Sequence, residues 1–328
     1  MKIGILKEHR SEEKRVAIVP STVSALSKKG YEFFLESDSG LLSNYSDNDY
    51  IEAGAKIVSQ NEVFDCEIIC KVNAPSDEEV SLLKSGTLFI SLLQTIKEID
   101  CVRKLADKKV SAFSLNLLPR TTLAQKMDVL SSQANIAGYK AVLIGSNHIG
   151  KYMPLLMTAA GTISPARTLV IGAGVAGLQA IATAKRLGSQ VEAFDVRPEV
   201  KEQVESLGAK FIEVDSDSDD GVGSGGYASE TSEEYKAKQQ ELMKERVGKS
   251  DIVITTALIP NRPAPMLIPK SMVESMEPGS VIMDLASENG GNCELTQENE
   301  IVNHNGVLID GNSNLSLIHI SEPTRRTT

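Results

Sequence analysis

Gly172-Ala173-Gly174-Val175-Ala176-Gly177 is the stretch whose residue types and spacing most directly imply chemistry. In a G-x-G-x-x-G turn the first glycine permits a tight bend and the second offers bare backbone to a pyrophosphate. The third lets a helix press against its strand. Thr168-Leu169-Val170-Ile171 leads into the turn, and a helix-favouring run from Leu178 to Leu187 leaves it. The next strand-like run, Val191 to Phe194, ends on Asp195, about 20 residues beyond the glycines. Strand, turn, helix, strand and acid therefore fall in the order of a dinucleotide-binding βαβ unit. A diphosphate would rest on unpaired N–H groups at the positive helix end, over Gly174, Val175, Ala176 and Gly177. Asp195 would accept hydrogen bonds from an adenosine ribose and repel a 2′-phosphate, which selects NAD(H) over NADP(H). Beyond Val196, Arg197 is either a phosphate-holding cation or a solvated charge, and NAD(H) remains the expectation.

Such a turn needs a sheet to carry it, and the rest of the chain supplies the pattern of two. With 328 residues and 41% hydrophobic content, two cores are possible. From Met1 to about Leu118, strand-like runs (Lys2 to Leu6, Glu32 to Leu35, Lys56 to Val58, Glu67 to Val72, Thr87 to Leu92, Val110 to Leu115) alternate with helical ones. Alternation of this kind predicts a parallel sheet with helices on both faces. The expected class is α/β, two Rossmann-like doubly wound parallel-sheet domains separated by a cleft. Residues 1–125 would form an N-terminal domain and residues 126–314 the NAD(H)-binding one. Lys7 to Arg15 is a charged loop after the first strand, where such sheets present ligand sites, with a solvated loop as the alternative.

Thr121 or Thr122 is the expected cap of a helix reaching about Ile144. Gly145 to Ala166 has no strong helix signal and reads as an extended hairpin or arm, a candidate subunit contact, with His148 structural. Later strands are expected at Lys210 to Val214, Asp251 to Thr256, Gly279 to Asp284 and Gly306 to Ile309. Residues 215–226 have the composition of a mobile loop, read as a lid ending at Tyr227 in preference to a calcium site. The net charge of -10 disfavours nucleic acid or anionic membrane as a partner. The spread of Cys66, Cys70, Cys101 and Cys293 fits neither a zinc site nor a redox motif, so reduced thiols and no metal are expected. No run reaches the ~18 apolar residues of a membrane span, and the start carries no export signal. Residues 315–328 resemble an in-frame translation of a sequencing adapter and are set aside as an artefact.

Three further stretches carry a resemblance. Lys7-Glu8 with Arg15-Val16-Ala17 and Pro20, the run Met127 to Tyr139, and Met157-Thr158-Ala159-Ala160-Gly161-Thr162 are similar to the NAD(H)-binding component of proton-translocating NAD(P) transhydrogenases. The alanine dehydrogenases share that fold and some of these motifs. The resemblance implies that Arg120, Gln125 and Asp128 match a loop that positions the nicotinamide and meets a partner subunit, with Ser131 a further hydroxyl in reach. It implies cofactor contacts at Thr256, Ala257 and Leu258, at the turn Glu288-Asn289, and at Tyr227. It also implies NADP(H) on a partner component, a membrane component coupling transfer to proton movement, a homodimer, and a place on the cytoplasmic face of the inner membrane. In alanine dehydrogenases a lysine and a histidine stand where this chain has Asn73 and Leu93, and neither replacement can do proton chemistry. Two other readings stay open: an amino-acid dehydrogenase with unusual catalytic residues, and a cofactor-binding module without turnover of its own.

Overall fold

In each of the two large sheets the first five strands, numbered by appearance, lie in the order 3-2-1-4-5. The computed structural model describes residues 1–10, 13–119, 121–213, 233–259, 262–312 and 315. Arg120, Tyr227 and the 215–226 loop therefore lie outside the described residues, as does all of the adapter-like tail except Leu315. By contacts the described chain divides into two units, residues 1–133 and residues 134–315.

In the first unit β1 (Lys2–Ile5), β2 (Glu32–Glu36), β3 (Ala55–Val58), β4 (Ile68–Cys70), β5 (Leu88–Ser91) and β6 (Ser111–Ser114) form a sheet of order β3-β2-β1-β4-β5-β6. All of its pairings are parallel. Ile3, Ile5, Phe33 and Leu35 enter one apolar cluster, while Ile69 and Phe89 enter another, the alternation of a sheet buried on both faces. Short helices close the crossovers with sequence-encoded caps. Ser46 with Asp49, Ser59 with Glu62 and Ser76 with Glu79 each form a capping box.

The first strands of the second unit form a hairpin, β7 (Leu156–Thr158) and β8 (Gly161–Ile163), within the predicted arm. It continues through β9 (Arg167–Ile171), β10 (Gln190–Phe194), β11 (Lys210–Phe211), β12 (Ile252–Thr255), β13 (Val281–Asp284), β14 (Ile301–His304) and β15 (Val307–Asp310). Their order is β11-β10-β9-β12-β13-β15-β14. Val170, Ile252, Ile254, Val281 and Met283 face one cluster, which also takes Leu315, while Leu169, Ile171, Val253 and Ile282 face the other. Both units are thus doubly wound α/β layers, and in each the chain reverses direction across the sheet beside its first strand, where such sheets bind ligands.

Several expectations change in detail. The helix expected to end near Ile144 runs Val129–His148, because a glycine at 145 lets it lie on the sheet: an added Cβ would stand 3.2 Å from Ile252. Its cap is Asp128 in place of Thr121 or Thr122, with Asp128 accepting from the Ser131 N–H at 2.9 Å and the Ser131 hydroxyl at 2.7 Å. Residues 301–304 add the antiparallel edge strand β14, whose alternation is too short and polar to announce itself. His148 closes its helix 3.4 Å from the buried Asp310 carboxylate.

Within the second unit, Gly138 of the long helix meets the start of the helix Val175–Arg186 backbone to backbone, and a Cβ there would lie 2.0 Å from the Ala176 carbonyl oxygen. Gly138→Ala should therefore cost about 1–3 kcal/mol and lower the thermal midpoint accordingly; a variant melting with the parent would show that the helices part freely.

Candidate functional site

The residues of the glycine turn are explained by packing at two positions and not at the third. Gly172 has φ +100, and a Cβ on it would stand 2.6 Å from the Thr256 hydroxyl. At Gly177 a Cβ would lie 1.8 Å from the Gly172 carbonyl oxygen, so the helix can start this close to β9 only with glycine there. Gly174 caps the helix Val175–Arg186 with extended backbone, and a Cβ on it would meet none of the described residues within 4 Å. Lys185 and Arg186 close that 12-residue helix, so charge and macrodipole agree at its far end, and its first N–H groups have no partner within the helix.

Around the turn lie the ends of the neighbouring strands. Thr256, just past β12, donates its backbone N–H to the Ile171 carbonyl at 2.9 Å and its hydroxyl to the Gly172 carbonyl at 3.0 Å. Val175, Val196 and Leu258 are exposed on this rim. Large apolar side chains in water beside a polar backbone turn are the lining expected of a nucleotide pocket. Asp195, past β10, accepts from the Ala173 N–H at 2.7 Å and from the Arg197 N–H, Nε and Nη2 at 2.9, 3.0 and 3.0 Å. Burial pushes this carboxyl up, but the Arg197 and Ala173 donors outweigh it and hold Asp195 below the usual carboxylate range. Arg197 is thus paired with Asp195 while still in reach of solvent.

The sequence reading missed two residues that hold this rim. Asp284, at the end of β13, is fully buried and accepts five hydrogen bonds: from the Thr255 hydroxyl and Ala286 N–H on one oxygen, and from the Asn292 and Cys293 N–H groups and the Thr296 hydroxyl on the other. It thereby folds the Glu288–Asn289 turn, closed by Gly290 and Gly291 at positive φ, back onto the sheet. Asn292, also fully buried, accepts from the Ala257 N–H at 3.1 Å and donates to the Ala257 and Pro265 carbonyls at 2.9 Å each. The only signal in the sequence was an acid at a strand end followed by Gly-Gly-Asn.

Gln125, Asp128 and Ser131 belong to the first unit. Gln125 opens an exposed 3-10 turn, and the other two form the helix cap described above. In the same unit Glu13 and Arg15 of the charged loop after β1 turn inward, while His9, Arg10 and Lys14 stay exposed. Arg15, buried, gives Nε and Nη2 to Glu13 at 2.9 and 2.8 Å and Nη1 to Gln133. The Asn73 amide donates to Glu8 and Glu13, and Lys71 forms a buried pair with Glu79. Leu93 is buried in an apolar cluster. Burial pushes the Cys70 thiol up to about 12 and those of Cys66 and Cys293 to about 11, so all three stay protonated at neutral pH.

Residues 4–137 match the family described as "Alanine dehydrogenase/PNT, N-terminal domain", and residues 141–320 match its C-terminal domain. The chain is 47% identical over 323 residues to an NAD(P) transhydrogenase alpha subunit of Rhodospirillum rubrum, covering 96% of this chain and 84% of the relative. It is 47% identical over 302 residues to the NAD(P) transhydrogenase subunit alpha of Haemophilus influenzae, covering 92% of this chain but spanning only 59% of that relative's length. Identity to an alanine dehydrogenase of Staphylococcus haemolyticus is 33% over 310 residues, 91% of this chain and 75% of that one. The solved transhydrogenase of Sinorhizobium meliloti superposes with a TM-score of 0.88 at 40% identity, covering 98% of this chain and 90% of that one.

Removing the Asn292 side chain takes away the partner of both the N–H and the carbonyl of Ala257. Asn292→Ala should lower stability by about 1–3 kcal/mol and speed hydrogen exchange at the Ala257 amide; unchanged exchange would show that the end of β12 is held by other contacts.

Proposed function

The chain belongs to the alanine dehydrogenase/PNT family, and from that premise we propose that it is the NAD(H)-binding part of a proton-translocating NAD(P) transhydrogenase. Gly174 carries the reading. Conformation demands glycine at 172 and contact demands it at 177, yet at 174, a helix N-cap that Ser, Asp or Asn would fill as well, neither conformation nor contact with the described residues requires it. A pyrophosphate against the Gly174 backbone supplies the missing reason.

In this reading the N–H groups of residues 174–177 hold the pyrophosphate, and Asp195, Val196 and Arg197 hold the adenosine ribose. Thr256, Ala257, Leu258, Glu288 and Asn289 form the rim, and Tyr227 closes over it. Arg120, Gln125 and Asp128, with Ser131, position the nicotinamide. The bound nicotinamide supplies a hydride from its C4 to C4 of NADP+ on a separate NADP(H)-binding component, leaving NAD+ and NADPH with no proton exchanged. The residues of this chain then have only to bind, orient and exclude water. Reductive amination would instead need groups that give and take protons. The Asn73 amide, bonded to two carboxylates, and the buried Leu93 provide none.

A membrane component would couple the transfer to proton movement, and the exposed β7–β8 hairpin, with Leu156, Met157 and Ile163 on its surface, is the natural contact of a homodimer. No helix among the described residues is long and apolar enough to cross a membrane. Attachment to the cytoplasmic face of the inner membrane would run through the other components or through further sequence of the full subunit.

The test is hydride transfer from NADH to an NADP+ analogue by the full subunit with its NADP(H)-binding and membrane components. Arg120→Ala and Gln125→Asn should each slow transfer by about 10–100-fold, the scale of lost orientation, with NADH affinity little changed. Pyruvate- and ammonia-dependent NADH oxidation by this chain alone would overturn the assignment in favour of an amino-acid dehydrogenase.

A further inference from the structure

We propose that Arg197 is a 2′-phosphate site held shut by Asp195. The acid then sets nucleotide preference twice, once by repelling a 2′-phosphate and once by occupying the cation that would bind one. The inference rests on the reading that the second unit binds a dinucleotide through its glycine turn.

A carboxylate offers about four acceptor positions, and Asp195 uses all of them. One oxygen takes the Arg197 N–H and Nε, and the other takes the Ala173 N–H and Arg197 Nη2. Three of the four donors come from Arg197. The guanidinium lies flat against the carboxylate in the two-pronged arrangement that serves carboxylate and phosphate alike. The two partners differ in access: the Asp195 side chain is 6% exposed and that of Arg197 48%. The acid is covered and the cation reaches solvent, at the strand end where the adenosine ribose of a βαβ-bound dinucleotide belongs.

Two consequences follow for a ribose arriving there. A free 2′,3′-diol can be received only if at least one Arg197 donor yields its place on Asp195, an exchange of one donor for another on the same oxygens. A 2′-phosphate, carrying close to two negative charges, meets an ionised carboxylate whose countercharge is already taken. Neutralising Asp195 removes the repulsion and frees the guanidinium from its charged partner in one step.

The experiment is calorimetric titration of the chain with NADH and with NADPH, in the wild type, Asp195→Asn and Asp195→Asn/Arg197→Ala. The expected result is that wild type binds NADH and takes NADPH at least about tenfold more weakly. Asp195→Asn should tighten NADPH binding by about tenfold or more, the scale of a released charge-assisted fork, and adding Arg197→Ala should abolish the gain. Asp195→Ser provides the same comparison should the amide variant lose its cooperative melting transition. A gain that survives Arg197→Ala, or its absence in a cooperatively melting variant at position 195, overturns the proposal. Wild type that binds neither nucleotide overturns the dinucleotide reading itself, and so separates that failure from this one.

Discussion

The close approach of Gly177 to the Gly172 carbonyl oxygen is the constraint on which the second unit depends. A Cβ at 177 would stand 1.8 Å from that oxygen, so the helix Val175–Arg186 can begin beside the end of β9 only because no side chain intervenes. Once it does, its N-terminus lies at the point where the order β11-β10-β9-β12-β13 reverses direction, and the end of β12 is drawn in through the Thr256 hydroxyl on the Gly172 carbonyl. Asn292 fixes the next peptide, and Asp284 fixes Asn292 through its backbone N–H. Each link satisfies a buried polar group that would otherwise cost about 1–3 kcal/mol. Moving the rim would break these hydrogen bonds together.

Much of this was legible in the sequence because it rests on local rules. Glycine spacing, strand alternation and the acid at 195 are contiguous patterns, and helices alternating with strands already imply parallel sheets. The longer helix, the β14 edge and the Asp128 cap were not legible. Gly145 looks like a helix stop until Ile252, more than a hundred residues away, is seen to need that space. A four-residue polar edge strand has almost no periodicity to read.

The same distinction separates the parts of the candidate site. Gly174 and Asp195 announce themselves by position in a motif, whereas Asn292 and Asp284 act through neighbours that only the fold brings near. Arg197 and the loop of residues 7–15 are intermediate cases. Charge at an exposed-looking position reads as solvated, and only geometry shows Arg197 forked onto Asp195 and Arg15 buried on Glu13. Charged residues are the hardest to place from sequence because their partners decide whether they face water.

In the first unit the ionic groups near the carboxyl ends of β1 and β4 mostly hydrogen-bond one another, as in the Arg15–Glu13 and Lys71–Glu79 pairs. Bare backbone at a helix start is found instead at Gly174 in the second. The central claim is that this backbone receives a pyrophosphate, and the most direct measurement is the perturbation of backbone amide resonances on titration with NADH, ADP-ribose and adenosine. The account predicts that NADH and ADP-ribose shift the amides of Gly174, Val175 and Ala176 strongly and that adenosine, which has no phosphate, leaves them nearly in place. Amides at 174–176 that ignore all three ligands, or that respond equally to adenosine, would contradict it.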